Sequence, residues 1–215
     1  MGKIYPTLFL FLVITLILPY PVSFSQQKKL QIKGLSILWS SPEYSSEPNG
    51  LNVADLYHNG SLKVIFYSGR IIYCLNGVDG VLTWSYQTDA DLRGPTALGD
   101  LNGDGILDIV VRAHIGKSVF AVNGLNGSLL WRKELKSNIF TYVSLCAVDE
   151  DGWLEVLVGD SDGTFYALNG SNGVILWEYE INGSIKMYAP PAAGDLDNDG
   201  KNEVIFSEGT GMHMH

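Results

Sequence analysis

The chain has 215 residues, a length that fits one all-β domain with a core of its own. It carries 14 lysines and arginines against 23 aspartates and glutamates, so its formal net charge is -9. This acidic balance argues against nucleic acid as a partner, because the phosphates would be repelled.

The N-terminal segment has the pattern of an export signal. Lys3 supplies a short positive start, and the stretch from Leu8 to Leu18 is apolar apart from one threonine. Small residues at the positions that a signal peptidase inspects favour cleavage before Gln26. The alternative is an uncleaved membrane anchor, although the apolar run is shorter than the roughly 20 residues that a spanning helix needs.

This pattern predicts the domain organisation of the chain. We expect a signal peptide, or an N-terminal membrane anchor, over residues 1–25 and a linker over residues 26–34. A repeat domain follows over residues 35–215. Such a chain would be secreted or held at the cell surface, with its repeat domain outside the cytoplasm.

Internal repetition with a period of about 46 residues is the most regular feature of the sequence. Four similar phrases end in a tryptophan at spacings of 45, 47 and 46 residues, namely Trp39, Trp84, Trp131 and Trp177. A glycine-centred acidic phrase recurs in step at spacings of 45, 47 and 48 residues, at Gly60, Gly105, Gly152 and Gly200. Two independent markers that keep one period indicate a repeat architecture.

Each period contains four short segments with the composition of β-strands. In the second period they lie at residues 96–99, 107–113, 118–122 and 128–135. Gly, Asn and Asp bound the segments, and an Asn-Gly turn joins the third to the fourth. Four short strands in every period are typical of a propeller blade. We therefore predict an all-β chain that folds as a β-propeller of four-stranded antiparallel blades, with the tryptophans packed between blades.

The number of blades is about four, and two arrangements are open. Three complete blades are predicted over Leu51–Tyr86, Pro95–Leu135 and Thr141–Ile181, and a fourth begins at Pro190. A strand left over at residues 35–39 would close a four-bladed ring by completing the last blade. We favour a partial propeller that needs further blades or partner copies, because about four blades is the lower limit for closure and an open strand edge invites pairing.

Two acidic loops have the spacing of a Ca²⁺ site. The predicted ligands of one loop are Asp100, Asn102, Asp104, the carbonyl of Ile106 and Asp108, and those of the other are Asp195, Asp197, Asp199, the carbonyl of Lys201 and Glu203. Ca²⁺ takes about six to eight oxygens from such groups, whereas Mg²⁺ usually keeps several waters. A glycine at the sixth position permits the sharp turn that brings alternate side chains together. An Asx turn without metal is the alternative.

The other two copies of the loop are incomplete. In the third, Ala147 replaces the first acid and leaves Asp149, Asp151 and Glu155, which predicts a weak or absent site. In the first, Lys63 places a positive charge where a carboxylate would close the coordination shell. We expect no tight Ca²⁺ binding there.

These motifs resemble two known groups of propeller repeats. The acidic loop between a small-residue strand and a β-branched strand resembles the FG-GAP (VCBS-like) repeat of integrin α subunits and microbial surface proteins. The phrases Ala121–Trp131 and Ala167–Trp177 resemble the tryptophan motif of quinoprotein-like (PQQ-type) propellers, and Cys74 departs from it at the alanine. The resemblance covers roughly residues 35–211. It implies a propeller with Ca²⁺ in the two complete loops, but it does not imply one function, because this fold hosts adhesion, assembly and catalysis.

The resulting hypothesis is an exported, Ca²⁺-binding propeller that is not an enzyme. It would bind a protein or glycan ligand through its loops, as an adhesion or scaffold module, with self-association or additional blades as further interactions. The alternative is a propeller enzyme or a fragment of one, either a quinoprotein dehydrogenase or a Ca²⁺-dependent polysaccharide lyase. The adjacent cysteines of quinoprotein alcohol dehydrogenases do not occur in this sequence.

Overall fold

A computed structural model describes residues 38–40, 44, 46–149, 151–180, 190–208 and 211–214. The predicted signal peptide and linker lie outside the described residues. The strands are β1 (Pro48–Ala54), β2 (Lys63–Ser68), β3 (Ile71–Asn76), β4 (Leu82–Gln87), β5 (Leu92–Gly99), β6 (Asp108–Ala113), β7 (Ser118–Val122), β8 (Leu129–Glu134), β9 (Ser144–Cys146), β10 (Glu155–Gly159), β11 (Thr164–Asn169), β12 (Ile175–Glu180), β13 (Ala192–Gly194), β14 (Glu203–Glu208) and β15 (Gly211–Met214). Within the described ranges, no helix has the length and apolar character needed to cross a membrane.

The strands form four antiparallel sheets in which each strand pairs with its neighbours in sequence. We name these sheets blade 1 (β1–β4), blade 2 (β5–β8), blade 3 (β9–β12) and blade 4 (β13–β15). Blades 1 to 3 have four strands each, and the described part of blade 4 has three. The predicted all-β propeller with four-stranded antiparallel blades is confirmed.

The core lies between the blades, because the inner strands of blades 2 and 3 bury both of their faces. In β6, Ile109 and Val111 belong to the cluster shared with blade 1, while Val110 between them belongs to the cluster shared with blade 3. This division follows from the alternation of side chains along a strand. Phe165 and Phe206 join blades 3 and 4 by stacking with their ring centroids 4.5 Å apart. A single sheet could not bury both of these faces, so the stacked blades stabilise one another.

The recurring tryptophan packs between blades, as the sequence predicts. Trp131 of β8 lies against Gly173 in the β11–β12 hairpin, and its Nε1 donates a hydrogen bond of 2.6 Å to the carbonyl of Gly170. The same bond is repeated from Trp84 to Gly124 (2.9 Å) and from Trp39 to Gly77 (2.8 Å). Each of these tryptophans therefore joins its own repeat to the hairpin of the following blade.

The face of blade 1 that points away from blade 2 carries its own aromatic cluster. Phe66 and Tyr73 stack with their centroids 5.2 Å apart, and Tyr44 contacts both rings. In the part of the chain that the structure describes, the core clusters join blades 1 and 2, 2 and 3, and 3 and 4, and none joins blade 4 to blade 1. This arrangement agrees with the partial propeller favoured by the sequence.

Candidate functional site

All four acidic loops lie at one end of the blades. Each loop connects the first two strands of its blade, and in an antiparallel sheet with sequential neighbours the turn between the third and fourth strands lies at the same end. We call this end the loop face. Its described residues lie in the acidic loops 55–62, 100–107, 147–154 and 195–202 and in the hairpins 77–81, 123–128 and 170–174.

Neighbouring parts of the loop face touch one another. The hydroxyl of Tyr57 donates to the carbonyl of Leu125 at 3.4 Å. The ring of Trp153 lies against Gly103. At the far end, Asn202 donates from Nδ2 to the carbonyl of Ala147 at 2.6 Å, which joins loop 195–202 to loop 147–154. The loop face is therefore a continuous surface that spans all four blades.

In loop 100–108 the side chains of Asp100, Asn102 and Asp104 accept hydrogen bonds from backbone amides of the loop itself. Asp100 accepts hydrogen bonds from the amides of Gly103 (2.8 Å) and Gly105 (2.9 Å), and Gly105 has the positive φ of 78° that glycine tolerates. Asn102 accepts from the amide of Asp104 at 2.9 Å, and Asp104 in turn accepts from the amide of the half-buried Ile106 at 2.8 Å. These are Asx turns in series.

Asp108 closes this loop from below, where it is completely buried. One of its oxygens accepts from the amide of Leu101 and the other from the amide of Gly124, both at 3.0 Å. Burial raises the pKa of Asp108 to about 6, although both amides counteract the shift. The carboxylates of Asp100, Asp104 and Asp108 do not form a group whose oxygens all lie within 4.8 Å of one another.

Loop 195–203 brings three of its predicted ligands together. One oxygen each of Asp195, Asp197 and Glu203 lies within 4.8 Å of the other two. Asp199 is not part of this group, and its Oδ1 instead accepts from the amide of the exposed Lys201 at 2.8 Å. The structure therefore assembles a triad of carboxylates in the last loop, with the fourth predicted acid turned to its own backbone.

Loop 147–155 contains the second carboxylate triad of the described residues. One oxygen each of Asp149, Asp151 and Glu155 lies within 4.8 Å of the others. The two aspartates are exposed, whereas Glu155 has no exposed surface. Its Oε2 accepts from the amide of Val148 at 2.7 Å, while its buried Oε1 has no hydrogen-bond partner. Burial raises the pKa of Glu155, and the neighbouring charges of Asp149 and Asp151 raise it further.

Loop 55–63 provides a cation from the chain itself. Lys63 occupies the position that Asp108 and Glu155 hold in blades 2 and 3, at the start of the second strand. Only 7% of its surface is exposed. Its Nζ lies 5.3 Å from the ring centroid of Tyr57, a distance that permits a cation–π interaction. Asp55 caps the turn by accepting from the amide of Gly60, which lowers the pKa of Asp55.

The sequence ranked loop 147–155 below the complete loops because its first acid is missing. The structure nevertheless brings its remaining acids together, and it buries Glu155 more completely than Glu203. The available signal was the position of Glu155 at the start of an apolar strand, where an unpaired carboxylate is costly. Spacing within the loop could not reveal which oxygens find donors elsewhere.

Apolar side chains are also exposed on the loop face. Val78 and Leu125 at the hairpin tips are 70% and 52% exposed, Trp153 is 45% exposed, and Leu196 is 50% exposed. Leu62, Val81 and Val174 on the same face are exposed as well. A surface that mixes exposed apolar groups with carboxylates is suited to a partner that offers apolar and basic groups together.

A comparison with protein families matches residues 36–192 to the family described as outer membrane protein assembly factor BamB. This match covers more than two thirds of the chain. A search of curated proteins found no match.

Solved structures show the same fold at low sequence identity. The structure of BamB from Moraxella catarrhalis is 20% identical with a TM-score of 0.52, over 76% of this chain and 44% of that one. The computationally designed protein Ika4 is 16% identical with a TM-score of 0.60, over 83% of this chain and 96% of the designed one. A europium-containing methanol dehydrogenase is 15% identical with a TM-score of 0.56, over 76% of this chain and 40% of the enzyme. The chain thus spans less than half the length of the BamB structure.

Proposed function

The chain belongs to the family of outer membrane protein assembly factor BamB, and on that premise we propose that it is an extracytoplasmic propeller module that binds a protein partner through its loop face. The observation that carries this proposal is the continuity of the loop face, on which acidic loops and exposed apolar tips of successive blades touch one another. The module acts as a scaffold, and it is not an enzyme.

The chemistry of the loop face indicates the kind of partner. The loop face carries the carboxylates of three acidic loops, and it exposes the side chains of Leu125, Trp153 and Leu196. Interfaces take their affinity from a few buried aromatic and apolar anchors, and complementary charge guides the encounter. The partner is therefore a protein segment that presents basic residues beside apolar ones. A glycan is the other ligand class that the sequence suggested.

Ca²⁺ bound in the two complete loops would stiffen the loop face. We place one ion in each loop, as in FG-GAP and VCBS-type repeats, with the ten ligands predicted from the sequence. The triad of Asp195, Asp197 and Glu203 fits an ion directly, since its oxygens already converge. In the other loop the oxygens of Asp100, Asp104 and Asp108 do not converge in this way, so we expect weaker binding there than in loop 195–203.

Export is part of the same proposal. The apolar run at residues 8–18 after a basic start supports a signal peptide over residues 1–25, followed by a linker over residues 26–34 and the propeller from residue 35. The name of the family places the relatives at the outer membrane, which agrees with a module that works outside the cytoplasm.

Site-specific photo-crosslinking in cells tests where the partner binds. A photo-reactive amino acid is placed at Leu125 on the loop face, and at Ile115 as the matched control. Ile115 is 79% exposed and lies in the β6–β7 turn, at the opposite end of the same blade. We expect a discrete protein adduct from position 125 and none from position 115. Equal adducts from both positions, or none from position 125, would contradict the proposal.

The enzymatic alternative has its own test. The likeness to a methanol dehydrogenase is 15% in identity and supports the fold alone. An absorption spectrum of the purified chain distinguishes the two functions, because a bound quinone is coloured. A quinone chromophore at one equivalent per chain would replace the scaffold proposal with a dehydrogenase.

A further inference from the structure

We infer that Asp149, Asp151 and Glu155 form a further divalent-cation site, in the loop of blade 3 that lacks the first acid of the motif. This site lies outside the two loops to which the proposed function assigns Ca²⁺. It follows from the position and bonding of one buried carboxylate, Glu155, and not from the loop pattern.

Glu155 is the first observation. It has no exposed surface, and its Oε1 has no hydrogen-bond partner, while its other oxygen accepts from the amide of Val148. A buried carboxylate that lacks a partner for one oxygen is strongly destabilising.

The convergence of Asp149 and Asp151 on Glu155 is the second observation. Oxygens of all three carboxylates lie within 4.8 Å of one another. Asp149 and Asp151 use their Oδ1 atoms to accept from the amides of Asp151 and Trp153, and each retains a further oxygen. Three negative charges at this distance repel one another unless a cation lies between them.

The equivalent carboxylate in blade 2 shows how the fold satisfies this position without an ion. Asp108 is as deeply buried as Glu155, but its two oxygens accept from the amides of Leu101 and Gly124. Glu155 retains the first of these bonds, from Val148, and leaves its other oxygen for a different partner. The two blades therefore differ in one atom: Oε1 of Glu155 accepts no hydrogen bond, whereas both oxygens of Asp108 do.

Blade 1 shows that a positive charge suits this position. Lys63 stands where Glu155 stands in blade 3, and its Nζ lies over the ring of Tyr57, the residue that corresponds to Asp149. In blade 1 the ammonium group of Lys63 thus lies beside Tyr57. In blade 3 the same place is lined by carboxylates, and the positive charge must come from solution.

The donor set indicates the class of the ion. The triad contains carboxylate oxygens alone, which favour Ca²⁺ over metals that prefer nitrogen or sulfur ligands. The exposed aspartates give the ion access from solvent, and the buried Glu155 anchors it from below. Ca²⁺ completes its shell of about six to eight oxygens with water and loop carbonyls.

Calorimetric titration of Ca²⁺ tests this site apart from the other two. The starting protein is the full chain with Asp104→Asn and Asp197→Asn, which disable the two loops of the proposed function. We expect one remaining Ca²⁺ per chain. Glu155→Gln removes that ion, and Asp151→Asn, an exposed change that leaves the core intact, weakens its Kd by about tenfold or more.

Asp79→Asn is the matched control, because Asp79 is an exposed loop-face acid that accepts from the amide of Val81 and lies outside the cation loops. It should leave the remaining ion in place. Absence of Ca²⁺ binding in the starting protein, or binding that survives both Glu155→Gln and Asp151→Asn, would overturn the third site. One ion in the unmodified chain that only the blade 3 changes remove would support this site and contradict the two proposed ones.

Discussion

Some hairpin glycines lie too close to a neighbouring backbone to accept a side chain. A side chain at Gly170 would place its Cβ only 2.0 Å from the carbonyl oxygen of Leu154. That oxygen belongs to the backbone, so it cannot rotate away. The carbonyl of Gly170 also receives the hydrogen bond of Trp131. This position therefore combines a close backbone approach with the contact between two blades.

Gly170→Ala should lower the free energy of unfolding by about 1–3 kcal/mol or more, the usual cost of forcing atoms into a packed site. Gly194→Ala is the control, since nothing lies within 4 Å of its Cβ position, and it should change stability by less than about 0.5 kcal/mol. Urea unfolding followed by circular dichroism measures both. Similar losses for the two variants would contradict the close approach at Gly170.

Cys74 is a buried thiol, and its burial should make it slow to react, because burial disfavours the reactive thiolate form. It has no exposed surface, and burial raises its pKa to about 11 from an ordinary value of 9.0. At pH 8 the folded protein should therefore hold about a hundredfold less thiolate at this position than the unfolded chain does.

Alkylation by iodoacetamide, followed by mass spectrometry, measures this difference in a Cys146→Ser variant. Labelling of Cys74 should be slow at pH 8, should rise with pH towards 11, and should become fast in urea. Because Cys74 packs between blades 1 and 2, rapid labelling of the folded chain at pH 8 would show that this part of the core is open.

The residue types of the candidate sites could be predicted from the sequence, but their bonding could not. Spacing alone identifies Asp100, Asp108 and Glu203 as candidate ligands. Whether a carboxylate is free depends on amides from distant parts of the chain, such as that of Gly124 for Asp108. This dependence is why spacing alone does not show which loop leaves a carboxylate oxygen without a donor, as in the case of Glu155.

The inner strands were largely predictable because they have a clear apolar pattern. The predicted segment at residues 118–122 coincides with β7 (Ser118–Val122). The first strand of blade 2 was predicted at residues 96–99, whereas β5 begins at Leu92. Its pairing with β6 shifts register between Arg93 and Ala97. Such a bulge interrupts the alternation on which prediction depends, so the N-terminal half of the strand was missed.

The tryptophan contact between blades can be tested with one conservative change. Trp131→Phe keeps an aromatic ring but leaves the carbonyl of Gly170 without its 2.6 Å hydrogen bond, so we expect a loss of about 1–3 kcal/mol of stability. Trp177→Phe is the control, because Trp177 is only half-buried and contacts Phe165 through its ring. Chemical unfolding of both variants gives the comparison. A loss at Trp177 as large as that at Trp131 would argue against the hydrogen bond as the cause.

At the scale of the whole molecule, the period of the repeat predicted the architecture, and the burial between blades explains why. Clusters that join successive blades make each sheet depend on its neighbours. The partner could not be predicted in the same way, because a binding surface is specified by exposed side chains that the fold leaves free to vary. The sequence does not show that Leu125 and Trp153 are exposed on the same face, because this depends on how the loops of neighbouring blades lie beside one another.

The export proposal predicts a defined mature protein. If residues 1–25 are a cleaved signal, the purified chain begins at Gln26, and its calculated net charge becomes -10 because Lys3 is lost with the signal and no acid is lost. N-terminal sequencing and intact mass of protein recovered from the cell envelope measure this directly. A chain that retains Met1 and sediments with membranes would support the anchor instead of the cleaved signal.

The most direct test of a cation-binding loop face is an anomalous difference map from crystals of the chain grown with Ca²⁺. We predict peaks among the carboxylates of loops 147–155 and 195–203, and a weaker one in loop 100–108, all at the same end of the blades. An ordered propeller whose map shows no peak in loops 147–155 and 195–203 would contradict the central claim.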